Sequence, residues 1–179
     1  MDFRFVFLDP QGRLAPKPFA QGLILLTGAM MIITIVTAIG AAAFGPLQYL
    51  LVFPYICVFG KRLHDAGLSA WLWLAFVAAY IFFSAVLTAF LMPLLSPAAF
   101  LIQAEIQKVM ETSGLTAAFE TMSERAPEIA RLSIVTTVAA FLLASGLVGF
   151  AAYRMRSDKT TNRHGPPTDD SARAAGTFS

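Results

Sequence analysis

Residues 18–60 read PFAQGLILLTGAMMIITIVTAIGAAAFGPLQYLLVFPYICVFG, 43 positions from Pro18 to Gly60 without a charged side chain. The polar segment Lys61-Arg62-Leu63-His64-Asp65 follows, and a second charge-free run extends from Ala66 to Ala104. A soluble domain of 179 residues has too little interior to hide that much uncharged apolar sequence, so the pattern predicts an integral membrane protein. Composition agrees: 57% of residues are hydrophobic, 13% are charged and the mean hydropathy is +0.68, against roughly 25% charged residues in an ordinary soluble domain.

A bilayer span takes about 20 apolar residues, so the first run must contain a turn. Phe44-Gly45-Pro46 supplies it, because glycine accepts unusual backbone angles and proline suits the first turn of a following helix. The expected fold is an all-α four-helix membrane bundle, with spans at about 20–43, 46–62, 69–95 and 130–153. Residues 1–19 precede it, and residues 154–179 read as a disordered tail rich in Gly, Pro, Thr, Asp and Arg. The second span is short. Lys61 and Arg62 are therefore expected to snorkel to the interface with their stems in lipid, and a re-entrant segment is the alternative. Ser69 is placed as the cap of the third span, whose start carries Trp71 and Trp73, and Pro93 and Pro97 end it. Ala140, Ala144, Ser145, Gly146 and Gly149 give the fourth span a close-packing face.

The loop at 96–129 has a helical pattern: Leu101, Ile102, Ile106, Val109 and Met110 recur on one side, and Gly114 separates them from a second piece with Leu115, Phe119 and Met122. It reads as an amphipathic pair that caps the bundle, lies on the membrane surface or docks a partner.

With four spans, the N-terminus, the turn at 61–68 and the C-terminal tail share one side. That side holds Arg4, Arg13, Lys17, Lys61, Arg62, Arg154, Arg156, Lys159, Arg163 and Arg173, ten of the thirteen basic residues, and only Lys108, Arg125 and Arg131 fall in the long loop. Positive charge is retained in the cytoplasm, so both termini are expected there, with the long loop outside. The formal net charge of +2 points away from a nucleic-acid partner.

Chemically capable groups gather at the central turn. Lys61 and Arg62 suit a helix C-terminus and anionic lipid head groups. Asp65 can orient His64 or accept from a basic neighbour, and Gly67 permits the chain to reverse. The candidate contact set for head groups or a protein partner is Arg13, Lys17, Lys61, Arg62, His64 and Asp65. Cys57 is the only cysteine, which excludes an intramolecular disulfide. Beyond His64 the chain has only His164, and no nucleophile-and-base pair, paired carboxylates, metal cluster or phosphate loop stands out. No catalytic residue and no cofactor is assigned.

The segment Lys61-Arg62-Leu63-His64-Asp65-Ala66-Gly67-Leu68-Ser69-Ala70-Trp71 resembles the R-R-x-H-D-x-G-x-S-G-W-W signature of the domain of unknown function 805 family. Gly12-Arg13-Leu14 with Lys17 and Phe19 is similar to that family's G-R-I-x-R-K-x-F-W, and Asn162-Arg163-His164-Gly165-Pro166 resembles its closing N-R-Y-G-P. Lys61, Ala70, Leu72, Pro16 and Ala20 stand where the family has Arg, Gly, Trp, Arg and Trp. The resemblance implies a small multi-span protein of the bacterial inner (plasma) membrane, and it supplies no reaction. The reading is a structural or regulatory membrane protein that contacts anionic lipids, a further copy of itself or a membrane partner. A small transporter or channel subunit for a neutral solute or lipid is the alternative.

Overall fold

A computed structural model describes residues 2–40 and 42–168, and among them regular structure is entirely helical. Seven α-helices follow in order: α1 Phe3–Phe7, α2 Pro16–Ala38, α3 Leu47–Leu50, α4 Val52–Asp65, α5 Trp73–Leu95, α6 Pro97–Leu132 and α7 Ile134–Arg154. Three stretches are long and apolar enough to cross a membrane: Pro16–Ala38, Ala70–Leu95 and Ile134–Arg154. In the most apolar part of Ala70–Leu95 no residue is buried. Ile81, Phe82, Phe90 and Leu94 are all exposed. Burial of apolar surface is worth about 25 cal/mol per Å², so such a helix needs lipid around it, and the three helices mark a membrane-embedded protein.

The expected second span is different. Residues 46–62 are not one rod: α3 ends at Leu50, and α4 starts after Leu51 and holds 14 residues, about 21 Å at 1.5 Å per residue against about 30 Å of hydrocarbon. It also runs on to Asp65, past the polar residues expected to lie outside it. The first span begins one turn earlier than expected, with Pro16 in the first turn where its missing N–H costs nothing. It stops at Ala38, ahead of Gly40 at φ +117°.

The chain forms two compact units. The first comprises the described parts of 1–30, 46–81 and 145–179. Its core is Val6, Leu14, Phe19, Leu26, Val58 and Ala152. Phe19 meets Phe59 edge to face at 5.3 Å between ring centroids, and Phe59 meets Phe76 at 5.5 Å. At Gly149 of α7, a Cβ would lie 2.2 Å from Leu23 Cδ2 of α2, so the two helices touch where a side chain is missing.

The second unit comprises the described parts of 31–45 and 82–144. Here Thr136 Oγ1 donates to Ser96 Oγ at 2.8 Å, with both residues buried, which ties the end of α5 to the start of α7. The long loop is helical, as its pattern predicts. Gly114, at φ 88° and ψ 175°, breaks α6 into two arms. On the first arm Ile102, Ile106 and Val109 form the inward stripe at i, i+4 and i+7, while Leu101 and Met110 are exposed.

Gly149→Leu is expected to destabilise the protein by about 2 kcal/mol through overpacking. Gly146→Leu, on the same helix with nothing within 4 Å, is expected to be tolerated; denaturant titration of both variants in detergent checks the contrast.

Candidate polar site at the helix ends

The last turn of α4 carries Lys61, Arg62, His64 and Asp65, and a glycine stops the helix just beyond them. Leu68 N–H donates to Leu63 O at 2.9 Å, and Gly67 N–H donates to His64 O at 3.1 Å, with Gly67 at φ +74°. That 6→1 and 5→2 pair is a Schellman closure, which only a residue tolerant of positive φ completes without strain. Gly67 therefore does what the sequence predicts.

The polar side chains do not. Lys61, Arg62 and Asp65 are 0% exposed and Arg13 is 2% exposed. The expectation that Lys61 and Arg62 snorkel toward head groups is corrected: both turn into the protein, because better acceptors stand there. Asp65 is the hub. Its Oδ1 accepts from Arg13 Nε at 3.2 Å and Thr168 Oγ1 at 2.5 Å, and its Oδ2 accepts from Arg62 Nη1 and Ser157 Oγ, each at 2.5 Å. A carboxylate has about four lone-pair sites, and here all are used.

Arg62 also closes the end of α7. Its Nε donates to Ala152 O at 3.1 Å, its Nη2 to Tyr153 O at 3.2 Å and to Met155 O. Carbonyls in the last turn of a helix lack intrahelical partners and carry partial negative charge, so a guanidinium there satisfies both needs. Arg13 binds the tail in the same way: Nη1 donates to Thr160 O at 2.9 Å and Gly165 O at 3.4 Å, and Nη2 to Asp65 O at 3.2 Å and to Asp158 O. Lys61 Nζ donates to Phe5 O and lies 4.3 Å from the centre of the Phe5 ring, and Leu14 N–H donates to Lys61 O at 3.0 Å. Among the described residues, backbone carbonyls thus join the Asp65 carboxylate as acceptors for these three cations.

The tail is the second correction. Residues 155–168 were expected to be disordered, yet they are folded onto the site. Asp158 N–H donates to Asp65 O at 2.7 Å, and Asp158 Oδ1 accepts from Thr160 N–H and Oγ1. Asn162 and Gly165 exchange both backbone hydrogen bonds around a turn with Gly165 at φ +131°. Asn162 Nδ2 reaches His64 O at 3.2 Å and Asp158 Oδ2 at 3.1 Å. Residues 169–179, for which disorder was also expected, lie outside the described residues. Composition misled because the ordering force is not apolar burial; the signal that could have found it is the spacing of Asp158, Thr160, Asn162 and Gly165, all turn formers.

His64 and His164 stack at 3.5 Å between centroids and 8° between planes. His64 Nδ1–H donates to Gly12 O at 3.1 Å, so Gly12 rather than Asp65 orients it. His164 Nε2 accepts from Arg163 Nε at 2.9 Å. Burial pushes both imidazoles below their ordinary pKa, and for each the neighbouring cations add to the effect. Hydrogen bonds from Thr160 hold the Asp158 carboxyl below its ordinary range.

Of the six expected contact residues, Arg13, Lys61, Arg62, His64 and Asp65 meet at this site, and Lys17 stays exposed beside it in sequence. The site also takes Ser157, Asp158, Thr160, Asn162, His164 and Thr168. The three segments that carry the family resemblance, around Arg13, around Lys61 to Gly67 and around Asn162 to Gly165, converge here. No protein-family model, curated protein or solved structure matches the chain.

Asp65→Asn keeps the shape but removes the carboxylate charge bonded to two buried guanidiniums, and is expected to cost about 3 kcal/mol or more. Glu128→Gln, which breaks the exposed Arg125–Glu128 pair at 2.8 Å, is expected to cost less than about 1 kcal/mol. Thermal unfolding of both in the same detergent measures the difference.

Proposed function

We propose that this chain is a non-catalytic, multi-span membrane protein with a structural or regulatory role, whose basic rim engages anionic lipid head groups. The carrying observation is the division of labour among its cations. Arg13, Lys61 and Arg62 are buried in the polar site, whereas Arg4, Lys17, Arg154, Arg156, Lys159 and Arg163 are exposed around the same helix ends. The buried set holds the segments together, and the exposed set presents positive charge where α2 begins and α7 ends.

Four crossings are part of this reading. The start of α2 is bonded to the end of α4 through Leu14 and Lys61, and the end of α4 to the end of α7 through Arg62. Because α2 is 23 residues long, about 34 Å, the chain has to come back after it; α3 and the apolar part of α4 up to Gly60 are the return. Both termini then share a side; the excess of basic residues there favours the cytoplasmic side, and the family resemblance implies a bacterial inner membrane. The convergence of the three motif segments supports membership in the domain of unknown function 805 family.

Each basic residue near an anionic leaflet contributes on the order of 1 kcal/mol. The triple variant Arg154→Glu, Arg156→Glu, Lys159→Glu is therefore expected to lose at least about tenfold of the wild-type preference for phosphatidylglycerol over phosphatidylcholine. Lipid competition in mixed nanodiscs reads that preference, and an unchanged ratio refutes the lipid contact.

A further inference from the structure

The docked tail is held partly by a pair of stacked imidazoles. His64 belongs to α4 and His164 to the tail, and their rings lie face to face at 3.5 Å. Nothing else on the tail offers an aromatic surface to α4 among the described contacts. The hydrogen bonds specify the protonation state. Gly12 O can only accept, so His64 carries its proton on Nδ1. Arg163 Nε can only donate, so His164 Nε2 is bare and its proton is on Nδ1. The Arg163 bond within the tail therefore requires a neutral His164, whereas His64 keeps its Nδ1–H bond to Gly12 in either charge state.

The surroundings give an imidazolium no relief. The charges acting on the pair are Lys61 from α4, Arg13 from the segment before α2 and Arg163 from the tail itself; Asp65 follows His64 in sequence by one residue, and Asp158 shares the Asn162 amide with the His64 carbonyl. The cations oppose a further positive charge. The two carboxylates are engaged elsewhere: Asp65 by Arg13, Arg62, Ser157 and Thr168, and Asp158 by Thr160 and Asn162. A proton on His164 Nε2 would point at the Arg163 N–H that now donates to it, replacing a hydrogen bond with a clash of two donors. A proton on His64 would place a cation against the face of a second imidazole.

We propose that residues 157–168 form a proton-sensitive latch, in which protonation of the stacked His64–His164 pair releases the tail from the helix ends and uncovers the Arg13 guanidinium. The sign follows from linkage. The docked form binds fewer protons than the released form, because both imidazoles are depressed from the ordinary value of 6.5. Docking is therefore fully favoured above that value and is lost as pH falls below it. For each unit over which the docked form binds one proton fewer, the released-to-docked ratio rises about tenfold. Asp158 contributes with the same sign, because its carboxyl is also held below its ordinary value of 3.8, but it acts only below that value and stays ionised through this window. The latch stands whether or not the basic rim binds lipid.

The test uses the full chain in neutral detergent, with no anionic lipid present. A nitroxide on Thr161→Cys, an exposed tail position, reports tail motion, since Cys57 is buried. The label is expected to be immobile at pH 8 and to gain a mobile population as pH falls through about 6.5. His164→Phe, which keeps a ring for stacking and removes the proton site, is expected to leave the label immobile at both ends of that range. A wild-type label indifferent to pH, or one whose response survives His164→Phe, overturns the proposal. Should His164→Phe be mobile throughout, histidine ¹³Cε1 shifts in the wild type decide: coincidence of the mobility change with the imidazole titration supports the latch, and separation of the two overturns it.

Discussion

The carboxylate of Asp65 sits between two guanidiniums, and the first unit is organised around it. Each ion in this cluster has given up water, at several kcal/mol apiece. What closes the balance is the backbone. Arg62 takes the end carbonyls of α7, Arg13 takes carbonyls of the tail, and Lys61 takes a carbonyl of α1. The cations and the chain ends in this way satisfy one another.

That exchange explains why segments distant in sequence meet. In an apolar environment no hydrophobic force draws one lipid-facing helix toward another, and packing such as Gly149 against Leu23 supplies only short-range attraction. A charge-assisted hydrogen bond is about twice as strong as a neutral one and directional. Arg13 and Arg62, with planar forks that reach several acceptors at once, can therefore fix the register of α4, α7 and the tail together, which a lysine ammonium would not do.

The same economy gives the tail a conditional character. Its anchors are polar and solvent-accessible at their margins, and they include two imidazoles rather than a buried apolar plug. A segment held by hydrogen bonds and ring stacking can be released by changing one charge, whereas the core around Phe19, Val58 and Ala152 cannot. A protein that keeps its buried cations for assembly and its exposed cations for contact has separated the part that must not move from the part that can respond.

Much of the architecture is legible in the chain itself. Charge-free runs dictate membrane-length helices, Gly67 and Gly114 dictate a stop and a break through positive φ, and the central motif locates the polar turn; these are local consequences of hydropathy and backbone sterics. Tertiary structure alone decided which way Lys61 and Arg62 point, since their acceptors lie at Phe5 and at Ala152 to Met155, far along the chain. It also decided that residues 155–168 are ordered, because a composition of Gly, Pro, Thr and Asp predicts disorder only when apolar burial is the sole source of order, and here guanidinium donors supply another. The break at Leu51 divides a stretch that hydropathy reads as continuous, for an apolar run measures its affinity for lipid and not the path of its backbone.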